Sequence, residues 1–111
     1  MPSLAKSGDV SVSLVAVPEV SAAVVYGLHE VFSCVGVAWE SLTGEATNCR
    51  RMKPRIVGES ASPMRTSMGA SLVAEHTFQE AHRSDIVIIA DLNLQLGTDP
   101  QGQWPDAIAW L

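Results

Sequence analysis

Apolar and polar positions alternate in the first part of residues 10–17 (VSVSLVAV), where Val10, Val12 and Leu14 are apolar. The run then becomes continuously apolar from Leu14 to Val17. This pattern predicts a strand covered on both faces, as in a parallel sheet. Pro18 stops the strand, and its fixed φ suits the first turn of a helix. Val20, Ala23, Val24, Gly27, Leu28, Val31, Phe32 and Val35 follow at spacings of three and four, which predicts one apolar helical stripe. Gly36 fits the C′ position that closes it. Gly27 costs about 1 kcal/mol relative to Ala inside a helix, and close packing against the first strand is the expected compensation.

Residues 37–42 (VAWESL) suit either a short strand or a continuation of the helix. A polar loop over 43–53 carries a basic cluster of Arg50, Arg51, Lys53 and Arg55, expected to be solvated. A second strand is predicted over 55–59 (RIVGE), and a small hairpin over 63–73 turning at Ser67–Gly69. Thr77 and Glu80 have capping-box spacing, so a short helix from Phe78 to about His82 is expected. Residues 85–90 (DIVIIA) form the clearest strand pattern. A polar loop over 91–102 precedes Trp104-Pro105-Asp106, which opens a last helix running to Leu111. The alternation of strands and helices predicts an α/β fold with a parallel sheet and right-handed crossovers. Residues 1–8 are expected to be a flexible tail and 9–111 one domain.

Composition narrows the function classes. The chain has 111 residues, 47% of them hydrophobic and 17% charged, as in a globular protein. A net charge of −5 and few aromatics argue against direct nucleic-acid contact. No apolar run approaches the roughly 18 residues of a membrane helix. No apolar segment of signal-peptide length precedes the first charges. Two cysteines, Cys34 and Cys49, make no disulfide scaffold, and a cytoplasmic setting is expected.

Residue chemistry assigns no active site. The turn after the first strand, Val17-Pro18-Glu19-Val20, lacks the glycines of a dinucleotide or phosphate loop. His29-Glu30 starts like a zinc-binding H-E-x-x-H, but Ser33 stands at the second histidine position. Without a Cys/His cluster, no metal site and no cofactor are expected. Cys34, at the end of the helical stripe, is expected to be a small buried hydrophobe, and Cys49 a solvated loop thiol. Trp104 and Trp110 are expected to pack in the core or an interface. Ligands of open parallel sheets bind outside the carboxyl ends of the strands. That rule nominates Pro18 and Glu19 after the first strand, and Asp91 and Leu92 after the DIVIIA strand.

VSLVAVPEVSAAVVYGLHEVF, RIVGES, SPMRTSMGASLVAEHTFQEA, SDIVIIADL and DPQGQWPDAIAWL, in this order and spacing, resemble the first half of a PfpI-type domain. That superfamily shares the class I glutamine-amidotransferase-like, flavodoxin-like fold. The likeness spans about residues 10–111 and is strongest to the ligand-sensing domain of GlxA-like, AraC-type transcription regulators. It implies a flavodoxin-like parallel sheet with flanking helices, of which this chain supplies the N-terminal half. The DIVIIA strand, normally internal, would then be an exposed apolar edge through which the chain self-associates. The resemblance also implies where chemistry would sit in an active member. A supporting carboxylate is expected on the first helix, and Ala23 stands there. A Gly-Gly oxyanion pair is expected after the DIVIIA strand, and Asp91-Leu92 stand there. The nucleophilic cysteine of the family's elbow would follow residue 111. The resulting expectation is a non-catalytic small-molecule sensor, lacking the DNA-binding part of a regulator. The alternative is a truncated cysteine-dependent hydrolase, hydratase or glyoxalase-like enzyme.

Overall fold

The central strand, β1 (Val10–Ala16), is buried on both faces from Val12 onward, as its continuous apolar run requires. The computed structural model describes residues 8–46, 49–81 and 83–111; most of the expected N-terminal tail and His82 lie outside them. Along the chain follow α1 (Ala22–Ser33), α2 (Ala38–Thr43), β2 (Met52–Gly58), β3 (Met64–Arg65), β4 (Ser71–Leu72), β5 (His76–Thr77), β6 (Ile86–Ile88) and α3 (Pro105–Trp110). The main sheet has the order β5-β2-β1-β6, and its strands are all parallel. The protein is therefore an α/β fold with a parallel four-stranded sheet and flanking helices. β3 and β4 form the separate antiparallel hairpin expected over 63–73. No helix among the described residues is long and apolar enough to cross a membrane.

Register and alternation divide the main sheet into two unlike faces. Val12, Leu14 and Ala16 share one face with Ile56 and Ile88. Along this sheet α1 lies chiefly against β2. Glu75 joins helix to strand, since its Oε1 accepts the Ile56 amide at 3.0 Å and stands 2.8 Å from His29 Nε2. The opposite face carries Ser11, Ser13 and Val15 beside Lys53, Arg55 and Val57. Its carboxyl half is apolar and packs with Phe78, Ala81 and Ala107 in the core.

Several expected boundaries move. Pro18 does not open α1. Val17 to Val20 form a turn closed by the Val20 amide on the Val17 carbonyl at 3.1 Å, and Val20 bridges Leu92. Helix therefore starts only after Ser21. The buried side of α1 holds Ala22 and Val25, with Leu28 and Phe32 against the core, while Ala23, Val24, Gly27, Val31 and Val35 are exposed. The apolar stripe was wider than the contact it makes. For the same reason Cys34 is exposed, not a buried hydrophobe. A Cβ on Gly27 would meet nothing within 4 Å, so close packing does not explain this glycine. Gly36, at φ 75°, lies two residues beyond the Cys34 cap, one position later than expected.

Residues 38–43 are helix, which resolves the ambiguity over 37–42. β2 begins at Met52, so Lys53 is a strand residue and not part of a loop, while Arg55 lies in the strand as expected. The Thr77–Glu80 capping box forms, with the Thr77 amide on Glu80 Oε1 at 3.1 Å and the Glu80 amide on Thr77 Oγ1 at 3.3 Å. It caps a single turn over 78–80, not a helix. β6 is three residues long and stands at the sheet edge, with Ile86, Val87 and the following Ile89 exposed.

Candidate functional site at the carboxyl ends of the strands

The turn after β1 is gripped from both sides. The Pro18 carbonyl accepts the Ser67 amide at 2.9 Å, which ties the turn to the hairpin. The Glu19 carbonyl accepts the Asn93 amide at 2.8 Å, which ties it to the loop after β6. The Glu19 side chain accepts the indole N–H of Trp104 at 2.6 Å. Trp104 is the N-cap of α3 and has φ 54°, a left-handed conformation that costs about 1–2 kcal/mol in a residue with a side chain. At the other end of α3, the Trp110 indole donates to the Ala81 carbonyl at 2.9 Å, and its ring lies 5.3 Å from that of Phe78. A six-residue helix is not stable by itself. Two indole hydrogen bonds hold this one over the sheet.

Docking α3 in this way closes a cleft of about 310 Å³ over the carboxyl ends of β1 and β2. Pro18, Met64, Phe78 and Trp104 form apolar walls, and Glu59 and Asp106 supply carboxylates. Hydrogen bonding to Asp106, then like-charge repulsion from it, raises the pKa of Glu59 above the ordinary value. Two carboxyl groups this close favour sharing a proton or admitting a cation between them. A second cavity of about 320 Å³ lies against Glu19 and is lined by Ser67, Asn93, Gln95, Thr98 and Gln103. A third, of about 160 Å³, is wholly apolar and is lined by Val15, Ile89, Leu92, Trp104, Ile108 and Leu111 among others.

The four residues nominated from the sequence share this end of the sheet but no common cavity. Pro18 lines the first cleft, Glu19 the second cavity and Leu92 the apolar one. Asp91 is exposed and lines none of the three. Two carboxylates do meet in one cleft, but they are Glu59 and Asp106, not the nominated Glu19 and Asp91. Glu59 was within reach of the strand-end rule, because it is the first residue past β2. Asp106 was not, since only the docking of α3 brings it there. Ala23, which the resemblance alone set at the position of a supporting carboxylate, is exposed on α1. Cys34 and Cys49 are exposed and line none of these cavities. Among the described residues no three His, Cys, Asp or Glu side chains group as metal ligands.

No protein-family model matches the chain, and no curated protein or solved structure is significantly similar to it.

Proposed function

We propose that this chain is a non-catalytic small-molecule-binding module, comparable to the sensor domain of an AraC-type regulator. Its ligand would be a cation with an apolar body. The carrying observation is the cleft at the carboxyl ends of β1 and β2, where the Glu59 and Asp106 carboxylates face walls made by Met64, Phe78 and Trp104. An ammonium or amidinium group satisfies both carboxylates, and an apolar or aromatic body fits against the rings. The flavodoxin-like reading is supported by β2, β1 and β6 standing side by side in that order, all parallel, with the proposed ligand cleft at the carboxyl ends of β1 and β2. A cytoplasmic location belongs to the same reading. The exposed β6 edge adds a second component, self-association through that edge.

Tryptophan fluorescence with benzylamine and with its neutral counterpart benzyl alcohol tests the cleft. Benzylamine should bind saturably and benzyl alcohol about tenfold or more weakly, and Asp106→Asn should erase the difference. Equal affinity for the two probes would sink the proposal. The pH dependence has a defined sign. Because Asp106 raises the pKa of Glu59, Glu59 protonates at a higher pH than an ordinary glutamate. Amine affinity should therefore fall on acidification at a higher pH than an ordinary glutamate would set, and Glu59→Gln should remove that displacement.

A further inference from the structure

The amino half of the face bearing Ser11 and Ser13 is polar, although it lies within the sheet. Ser13 is fully buried. Its hydroxyl bonds the Ser84 hydroxyl and accepts from Arg55 Nε at 3.1 Å. Arg55 Nη2 donates to the Arg83 carbonyl at 2.6 Å and to Ser84 Oγ at 3.2 Å. Three of the five guanidinium N–H groups are thus used, all on neutral acceptors. Nη1 finds no acceptor among the described residues, and Arg55 is only half-buried. Lys53 lies two residues earlier on the same face of β2 and is exposed, and Arg83 adjoins through its carbonyl.

Among the described residues no carboxylate forms an ion pair with Lys53, Arg55 or Arg83. The nearby Asp85 is held chiefly by Ser11, and its charge also attracts Arg50 and Arg83. Its Oδ2 accepts the Ser11 amide at 2.8 Å and the Ser11 hydroxyl at 3.2 Å. In a chain of net charge −5, this leaves a guanidinium held rigid by neutral groups, with a lysine beside it and, among the described residues, no carboxylate in direct contact with either. A carboxylate partner would have neutralised the arginine. Hydroxyl and carbonyl partners orient it and leave its charge available.

We propose that this surface binds the phosphate group of a phosphomonoester or of free phosphate. Arg55 is the oriented fork and Lys53 the second cation. The site lies at the amino ends of β1 and β2, opposite the amine-binding cleft, and does not depend on it. Backbone amide NMR shifts report on it directly, with inorganic phosphate, O-phosphoserine and a short single-stranded oligonucleotide as separate probes. Phosphate and phosphoserine should shift residues 11–13, 53–55 and 83–85 saturably, with dissociation constants of about a millimolar. Tighter binding of phosphoserine would assign an ester ligand, and equal binding would assign free phosphate.

Arg55→Lys keeps the charge but loses the fork, and should weaken binding about tenfold. Lys53→Gln changes an exposed side chain and should weaken it several-fold. Arg65→Gln in the hairpin and Asp106→Asn in the cleft should leave it unchanged. The proposal is overturned if neither phosphate probe saturates, if Arg55→Lys binds like the parent, or if Arg65→Gln weakens binding as much as Lys53→Gln. Tighter binding of the oligonucleotide per phosphate than of phosphoserine would overturn it too.

Discussion

At the scale of single residues, two glycines make opposite predictions. Gly27 is exposed in α1 and has a helical environment with open space where a Cβ would go. Gly27→Ala should therefore stabilise the protein by about 0.5–1 kcal/mol, measured by urea unfolding. Gly58 ends β2 where a Cβ would lie 3.1 Å from the Ala74 methyl and 3.4 Å from the Ala16 carbonyl. Neither neighbour can swing away, so Gly58→Ala should destabilise by about 1–3 kcal/mol. The sequence pointed to the wrong one of the two. Gly27 looked like a packing glycine because it falls on the apolar stripe of α1. Which part of that stripe meets the sheet depends on the rotation of the helix, and composition does not encode that rotation. The candidate site shows the same limit. Pro18 and Glu19 were placed by the strand-end rule, but the partner of Glu59 arrives from residue 106, far along the chain.

At the scale of elements, α3 is the piece that makes the cleft. It is six residues long, starts at a left-handed tryptophan, and is anchored by Glu19 and by the Ala81 carbonyl. Glu19→Ala removes the acceptor of the Trp104 indole in a half-buried site. The cost should be about 1–2 kcal/mol, and hydrogen exchange should show α3 opening more readily while the amides of β1 and β2 keep their protection. If α3 and the sheet lost protection together, the helix would be part of the core and not a docked cover. Sequence signals located this helix well, because proline at its first position and aspartate in its first turn act locally. They could not show that its first turn carries a carboxylate to β2. The capping box of Thr77 and Glu80 was likewise legible, yet its turn does not continue as a helix. The Thr77 amide also holds the Glu80 pKa below the ordinary value. The sign of that lowering means its stabilisation is present above the unfolded-state pKa and is lost as pH falls through the folded one.

At the scale of the whole molecule, an α/β sheet ends on an apolar edge. β6 pairs with β1 on one side, and Ile86, Val87 and Ile89 are exposed. Sedimentation velocity should show self-association that rises with concentration, and Val87→Lys should weaken it about tenfold. A parent chain that stays monomeric at high concentration would remove edge pairing from the proposed function. The two proposed sites stand at opposite ends of the central strands. Lys53 and Arg55 lie toward the amino ends, with Arg83 and Asp85 beside them, while Glu59 and Asp106 stand at the cleft beyond the carboxyl ends.

The parts whose cause is local are legible in the order of residues alone. β1 is buried because eight consecutive positions are apolar or small, the hairpin turns at Ser67–Gly69, and Pro105 starts α3. The class is legible there too, since strands alternating with helices favour a parallel sheet. Packing settles which face of α1 is covered, that Ser13 joins a buried polar network instead of water, and that Glu59 meets Asp106. Each of these depends on contacts between residues far apart in the chain. Alternation marks a serine as polar, but only its neighbours determine whether water or an arginine receives it.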